Sequence, residues 1–298
     1  HLQPNSRFTF SSAWNFRNVV HGKTNNFGYA VPFDYRRGTP AIAILGDSYV
    51  ESMMNPYEAT LHAGIKRAVP QDVTVLNLGV AGSSMPDYLG LAQLVRRSFD
   101  PQWVVMVITQ GDYIEGFGGL PGHFAWPQQT SAPVELVADK QRSSLTKFLR
   151  SVALVRYARG NLKLTAPGLF HSRLCTETPV CVPQTLSAED SERIRSYVAG
   201  LPAAYGIPAR RITILFDYEA RRRAMYDPRL KHNCPTLDSE ALLQFAAEAG
   251  RAGMLVIDTS AIFEKYYRET GLKVDHSPAD WHWNATGHRL AAEAVVRA

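Results

Sequence analysis

The chain has 298 residues, 45% of them hydrophobic, enough to bury the core of one large α/β domain or of a domain with an insertion. No stretch reaches the roughly 20 apolar residues of a membrane span, and His1 reads as an arbitrary start that leaves room for an export signal or membrane anchor upstream. A net charge of +5 is mild, and no basic stripe is interleaved with aromatics, so nucleic acid is not an expected partner.

Residues 1–38 are polar, with a turn signal at Asn25-Asn26-Phe27-Gly28, and are expected to form an irregular arm wrapped on the core. Ala41 to Leu45 is a continuous apolar run ended by Gly46, the pattern of a strand buried on both faces. Tyr57 to Val69 has helical spacing, Val73 to Leu78 is the next strand, and a helix follows from Pro86 to Phe99 with proline in its first turn. Trp103 to Ile108 is a third strand. The alternation argues a parallel, doubly wound sheet. It resumes with a strand at Ile212 to Phe216, a helix near Asp238 to Ala249, a strand at Met254 to Ile257 and a last helix from Asn284. Residues 113–205 break this rhythm, with helical stretches near Ser143–Arg159 and Ser187–Ala199. They read as a helical insertion or lid over the edge of the sheet where ligands bind.

The clusters Arg210-Arg211 and Arg221-Arg222-Arg223 read as the solvated side of a helix or its capping charges rather than as a binding patch. Of three cysteines, Cys175 and Cys181 bracket a short loop and are expected to pair, which favours an oxidising compartment; no spacing suits a metal site.

Two segments carry chemistry. Gly46-Asp47-Ser48-Tyr49 sets a serine on the turn after the first strand of the sheet. Asp280-Trp281-His282-Trp283-Asn284 sets a carboxylate beside an imidazole just before the last helix. Each alone suits an ordinary capped turn. Together, at one edge of a parallel sheet, they supply nucleophile, base and orienting acid for acyl transfer. His62, His123, His171, His232, His276 and His288 read as structural. Asp217, ending the fourth strand, suits either the crevice or a helix cap. Tyr49, Trp126, Trp281 and Trp283 could serve as sugar platforms, although packing is the better reading of each.

In these blocks, and in Asn77-Leu78-Gly79-Val80-Ala81-Gly82, the sequence resembles the SGNH/GDSL hydrolase superfamily. The resemblance implies a three-layer α/β/α, flavodoxin-like fold in a single domain and a serine esterase without cofactor. Ser48 would be the nucleophile, His282 the base and Asp280 its orienting acid, with the N–H groups of Ser48 and Gly82 holding the oxyanion. Asp47, Tyr49, Asp112, Trp281 and Trp283 would line the substrate. Two departures stand out. The final block has Asp-x-His where the family usually has Asp-x-x-His, a spacing similar to that of some extracytoplasmic, polysaccharide-modifying branches. The third block reads Thr109-Gln110-Gly111-Asp112, so Gly111 takes the place of the family's asparagine donor, with Gln110 the nearest substitute. The expected activity is an O-acetylesterase on acetylated carbohydrate, periplasmic or secreted. An O-acetyltransferase with the same three residues, or a glycan-binding module that has lost turnover, are the alternatives.

Overall fold

The computed structural model describes residues 2–12, 16–127, 134–138, 184–227, 236–277 and 280–298, with Val152, Leu154, Val155, Tyr157 and Asn161. Cys175, Cys181, Cys234, His171, His232 and nearly all of the helix expected at Ser143–Arg159 lie outside the described residues.

The N-terminal segment is more regular than its polar composition suggests. Strands β1 (Arg7–Ser12) and β2 (Arg17–Lys23) form an antiparallel hairpin with a register shift between Phe10 and Ser12. The chain beyond it sends Tyr29, Val31 and Tyr35 into the core. The Tyr35 hydroxyl donates to the Asn77 carbonyl at 3.0 Å and accepts from the Asn77 N–H at 2.7 Å, capping backbone groups of an outer strand that would otherwise stand open.

Strand β3 (Ala41–Gly46) leads into the four-residue helix α1 (Ser48–Glu51). A 3-10 turn at Tyr57–Ala59 precedes α2 (Leu61–Ala68). The single helix expected there is split because Thr60 adopts an extended conformation and caps α2 through its hydroxyl. Next come β4 (Thr74–Gly79), α3 (Met85–Phe99), β5 (Pro101–Thr109), α4 (Asp112–Gly118) and the short pair β6 (Phe124–Ala125) and β7 (Glu135–Leu136). After α5 (Ala188–Tyr205) the chain runs through β8 (Ile212–Asp217), α6 (Glu219–Tyr226), α7 (Leu237–Arg251), β9 (Leu255–Asp258), α8 (Thr259–Thr270) and α9 (Ala285–Arg297).

The main sheet has the order β4-β3-β5-β8-β9, all parallel. This is the flavodoxin-like order, and its reversal point lies between β3 and β5. Alternation along the strands divides the core. Ala43, Leu45, Val104, Met106, Ile108 and Ile214 face α3, α5 and α7, whereas Ile44, Val105, Val107 and Leu215 face α2, α8 and α9. Two covered faces make three layers and explain why the strands read as unbroken apolar runs. Helix α5 packs on α3 and α7 within one layer. The end of the region read as a lid is therefore part of the sheet's cover, because Ile194, Val198 and Leu201 are core residues. Among the described residues, no helix is long and apolar enough to cross a membrane.

Candidate active site

The carboxyl ends of β3 and β5 flank the reversal point, and Ser48 follows β3 there. The Asp47 carboxylate caps α1 by accepting from the Tyr49 N–H at 2.9 Å. The helix ends after one turn because Ser52 turns left-handed at φ 53°. Ser48 thus occupies the first helical position, where a backbone N–H has no intrahelical acceptor.

His282 meets it from the loop before α9. The Ser48 Oγ lies 2.7 Å from His282 Nε2, and His282 Nδ1 lies 2.5 Å from Asp280 Oδ1. That same carboxylate oxygen accepts the His282 backbone N–H at 3.1 Å. With the Asp-x-His spacing one carboxylate meets both the backbone N–H and the Nδ1 of the residue two positions on. An ionised carboxylate can only accept, so Nδ1 carries the proton and Nε2 is left to take one from Ser48. Burial pushes the Asp280 carboxyl up, but the His282 bond and charge outweigh it and hold the group down at about 2. Burial lowers His282, yet its bond to Asp280 and the charges of Asp280, Asp47 and Glu219 raise it above the ordinary histidine value.

The loop after β4 lies beside the β3–α1 turn, its Val80 N–H donating to the Gly46 carbonyl at 3.1 Å. Gly82 is left-handed at φ 80°, a conformation that suits glycine. Among the described residues, neither the Ser48 nor the Gly82 N–H has an acceptor. Burial pushes the Glu51 carboxyl up to about 7, with the Ala81 N–H in that loop acting in the lowering direction.

The segment Thr109–Asp112 differs from the expected oxyanion arrangement further than its sequence alone indicates. The Gln110 amide oxygen accepts the Ala220 N–H at 3.0 Å, tying the side chain to α6. Gly111 has φ −82°, open to any residue, and a Cβ added there would lie 2.9 Å from Glu115 Oε1.

Several residues read as lining substrate are structural. Asp112 is fully buried and closes the β5–α4 turn by accepting from the Thr109 N–H, the Thr109 hydroxyl and the Tyr88 hydroxyl. Trp283 is fully buried, its indole donating to Asp217 at 3.0 Å, so it cannot serve as a sugar platform. Asp47 is spent on its cap, and burial pushes it up to about 6. Tyr49 is buried with its ring 4.7 Å from the His282 ring. Trp126 donates to the Tyr113 carbonyl and packs in the core. Trp281 keeps some exposure, with Arg223 over its ring at 4.4 Å. Asp217 reaches neither the crevice nor a cap, because its oxygens take Trp283 and Arg222.

The reading of the arginine run as solvated fails at its centre. Arg221 is exposed and pairs with Asp258 and Glu264, but Arg222 is fully buried. Arg222 shares a face with Met225 and Tyr226, which pack on the core, so it occupies an apolar stripe. That spacing was the available signal.

No family model matches the sequence, and no curated protein does. Similar solved structures include a two-domain esterase active on acetylated mannans, 13% identical over 87% of this chain and 48% of that one, with a TM-score of 0.46. Another is LAE5, an α/β hydrolase from the metagenome of Lake Arreo, Spain, 14% identical over 88% of this chain and 95% of that one, with a TM-score of 0.48. A third is a catalytic mutant of Axe2, an acetylxylan esterase from Geobacillus stearothermophilus, 15% identical over 88% and 94% of the two chains, with a TM-score of 0.42. The chain spans about half the length of the two-domain esterase.

Proposed function

We propose that this chain is a serine-dependent ester hydrolase of the SGNH/GDSL type, acting on O-acetyl groups of carbohydrate outside the cytoplasm. The observation that carries the reading is the unbroken chain Ser48 Oγ, His282 Nε2, His282 Nδ1, Asp280 Oδ1, with both contacts within hydrogen-bond reach. The Ser48 oxygen attacks the acetyl carbonyl carbon and its proton passes to His282 Nε2. The carbonyl oxygen becomes an oxyanion held by the Ser48 and Gly82 N–H groups, each such donor being worth on the order of 3 kcal/mol. The intermediate collapses as His282 returns the proton to the departing sugar oxygen, leaving acetyl on Ser48. Water then attacks that ester, losing its proton to His282, and acetate leaves as the proton returns to Ser48. Asp280 keeps the imidazole in the working tautomer and stabilises the imidazolium at each transfer.

The test is intact-mass measurement after mixing with an activated acetyl ester, with Ser48→Ala beside the wild type. The expected result is an acetyl adduct on the wild type alone, and acetate release from acetylated xylan or mannan. No adduct and no release, from a chain that is folded, would sink the proposal. Transfer of the acetyl group to an added sugar in preference to water would move it to the transferase alternative.

A further inference from the structure

Arg222 has no exposed side-chain surface, and a buried cation is tolerated only where its donors are met. Nε and Nη2 donate to Asp217, Nη1 to Asp275, and Nη2 also to the Tyr49 hydroxyl at 2.9 Å. These partners come from three separate segments, namely the end of β8, the stretch before the Asp280–His282 loop, and the residue after Ser48.

Each partner also grips a neighbour of His282. Asp217 accepts the Trp283 indole N–H at 3.0 Å. Asp275 forms an antiparallel backbone bridge with Trp283. The Tyr49 hydroxyl, accepting from Arg222, donates its own proton to the Trp281 carbonyl at 3.1 Å, with Glu219 Oε2 farther off at 3.4 Å. Trp281 and Trp283 flank His282 in the chain, so one guanidinium ties down the residues before and after it and, at Tyr49, the residue beside Ser48. The Tyr49 ring lies against the imidazole itself. Burial and the nearby carboxylates push the Tyr49 phenol well up against the opposing charge of Arg222, so it stays protonated at every working pH. A Lys at position 222 would carry the charge but not the planar fork that reaches three partners.

We propose that Arg222 and the Tyr49 hydroxyl are positioning residues that hold the His282 imidazole in register with Ser48, an inference whose kinetic side rests on the esterase reading. Neither touches the acyl group. Both act on where the base sits, and a displacement of about an ångström there can lower turnover by a hundredfold.

The decisive variant is Tyr49→Phe, which keeps the ring and removes only the hydroxyl. Its first readout is the low-field proton resonance of His282 Nδ1–H bonded to Asp280, recorded without substrate; its second is steady-state kinetics on a small acetate ester. The expected results are a resonance broadened or moved upfield, kcat lower by about ten- to a hundredfold, KM within about twofold, and a chain that still folds with a lowered melting temperature, because one Arg222 N–H loses its acceptor. Arg222→Lys should show the same pattern more strongly. Should Arg222→Lys fail to fold, Tyr49→Phe still decides. An unchanged resonance and an unchanged kcat in folded Tyr49→Phe overturn the proposal. An inactive wild type whose resonance is nonetheless disturbed by Tyr49→Phe upholds the positioning and overturns the esterase reading alone.

Discussion

Ser48 and Ser52 stand one turn apart, at the start of α1 and just past its end, and each faces a histidine. Ser48 Oγ lies 2.7 Å from His282 Nε2, and Ser52 Oγ lies 2.9 Å from His288 Nε2. The two contacts are nearly alike, and the difference is on the far nitrogen. His282 Nδ1 meets the Asp280 carboxylate, an obligate acceptor, whereas His288 Nδ1 meets the Leu61 backbone N–H at 3.1 Å, an obligate donor. The first arrangement protonates Nδ1 and leaves Nε2 basic. The second makes Nδ1 the acceptor, so Nε2–H donates to Ser52. Burial pushes His288 down to about 3, while Asp280 raises His282 above its ordinary value. A serine beside a histidine is therefore not a nucleophile by that fact; the partner of the other nitrogen decides, together with access to solvent.

The comparison breaks first if the Ser48 pair can be removed without consequence. Ser48→Ala and His282→Ala should each lower turnover on a small acetate ester by about a thousandfold or more, with the far-ultraviolet spectrum unchanged. Retention of a tenth of wild-type turnover by either variant would contradict the assignment.

Asp280→Asn should also lower turnover severely, because an amide can donate to Nδ1 and so favour the wrong imidazole tautomer, and it does not stabilise the imidazolium. It also tests the electrostatics. His282 must be neutral to act, and its folded value is raised, so wild-type kcat/KM should climb with pH through a midpoint above the ordinary 6.5. Without the carboxylate that midpoint should move to lower pH. A midpoint that does not move would mean that another group sets it.

Much of this arrangement is legible in the residues themselves. The apolar runs at Ala41–Leu45 and Ile212–Phe216 mark strands covered on both faces, and the serine and the Asp-x-His segment fall at the ends of elements where a parallel sheet brings them together. Residues whose role depends on what lies behind them are not legible. Trp283 and Asp112 sit in motif positions but point into the protein, since sequence spacing fixes a residue's place in a motif and not the direction of a side chain before or at the start of a helix. Arg222 looks solvated beside Arg221 and Arg223, and only the tertiary placement of Asp217 and Asp275 makes its burial tolerable. Charge composition is a local signal, whereas ion pairing across 53 residues is a tertiary one.

A smaller effect is expected at Gly111. The Gln110 amide is committed to Ala220, so Gln110→Ala should leave turnover within about twofold of wild type if that bond only caps a helix. Gly111→Asn should raise turnover by about tenfold, part of the hundred- to thousandfold that a well-placed oxyanion donor supplies. The new side chain meets the mobile end of Glu115, which can give way. No gain, with an efficient wild-type rate, would show that the oxyanion is already fully held.

The least effect on catalysis should come from Ser52→Ala, which tests the second pair. Ser52 accepts from His288 and from the Asn55 amide, which also donates to the Trp283 carbonyl. Removing the hydroxyl leaves the His288 Nε2–H without an acceptor, and such an orphaned buried donor costs about 1–3 kcal/mol. Melting should therefore fall at pH 7 while kcat stays within about twofold, since Trp283 remains fixed by Asp217. The pH dependence of stability should persist. Burial holds His288 and His62 at about 3 in the folded chain, below their unfolded value of about 6.5. Their contribution is complete above pH 6.5 and is lost as the pH falls from there toward 3, because the unfolded chain binds the protons first, at about 1.4 kcal/mol per pH unit for each histidine. Neither slope depends on the Ser52 hydroxyl, so wild type and Ser52→Ala should lose stability in parallel as the pH is lowered. A tenfold loss of turnover in Ser52→Ala, with melting unchanged, would instead make the sealed pair part of the catalytic apparatus and erase the distinction between the two.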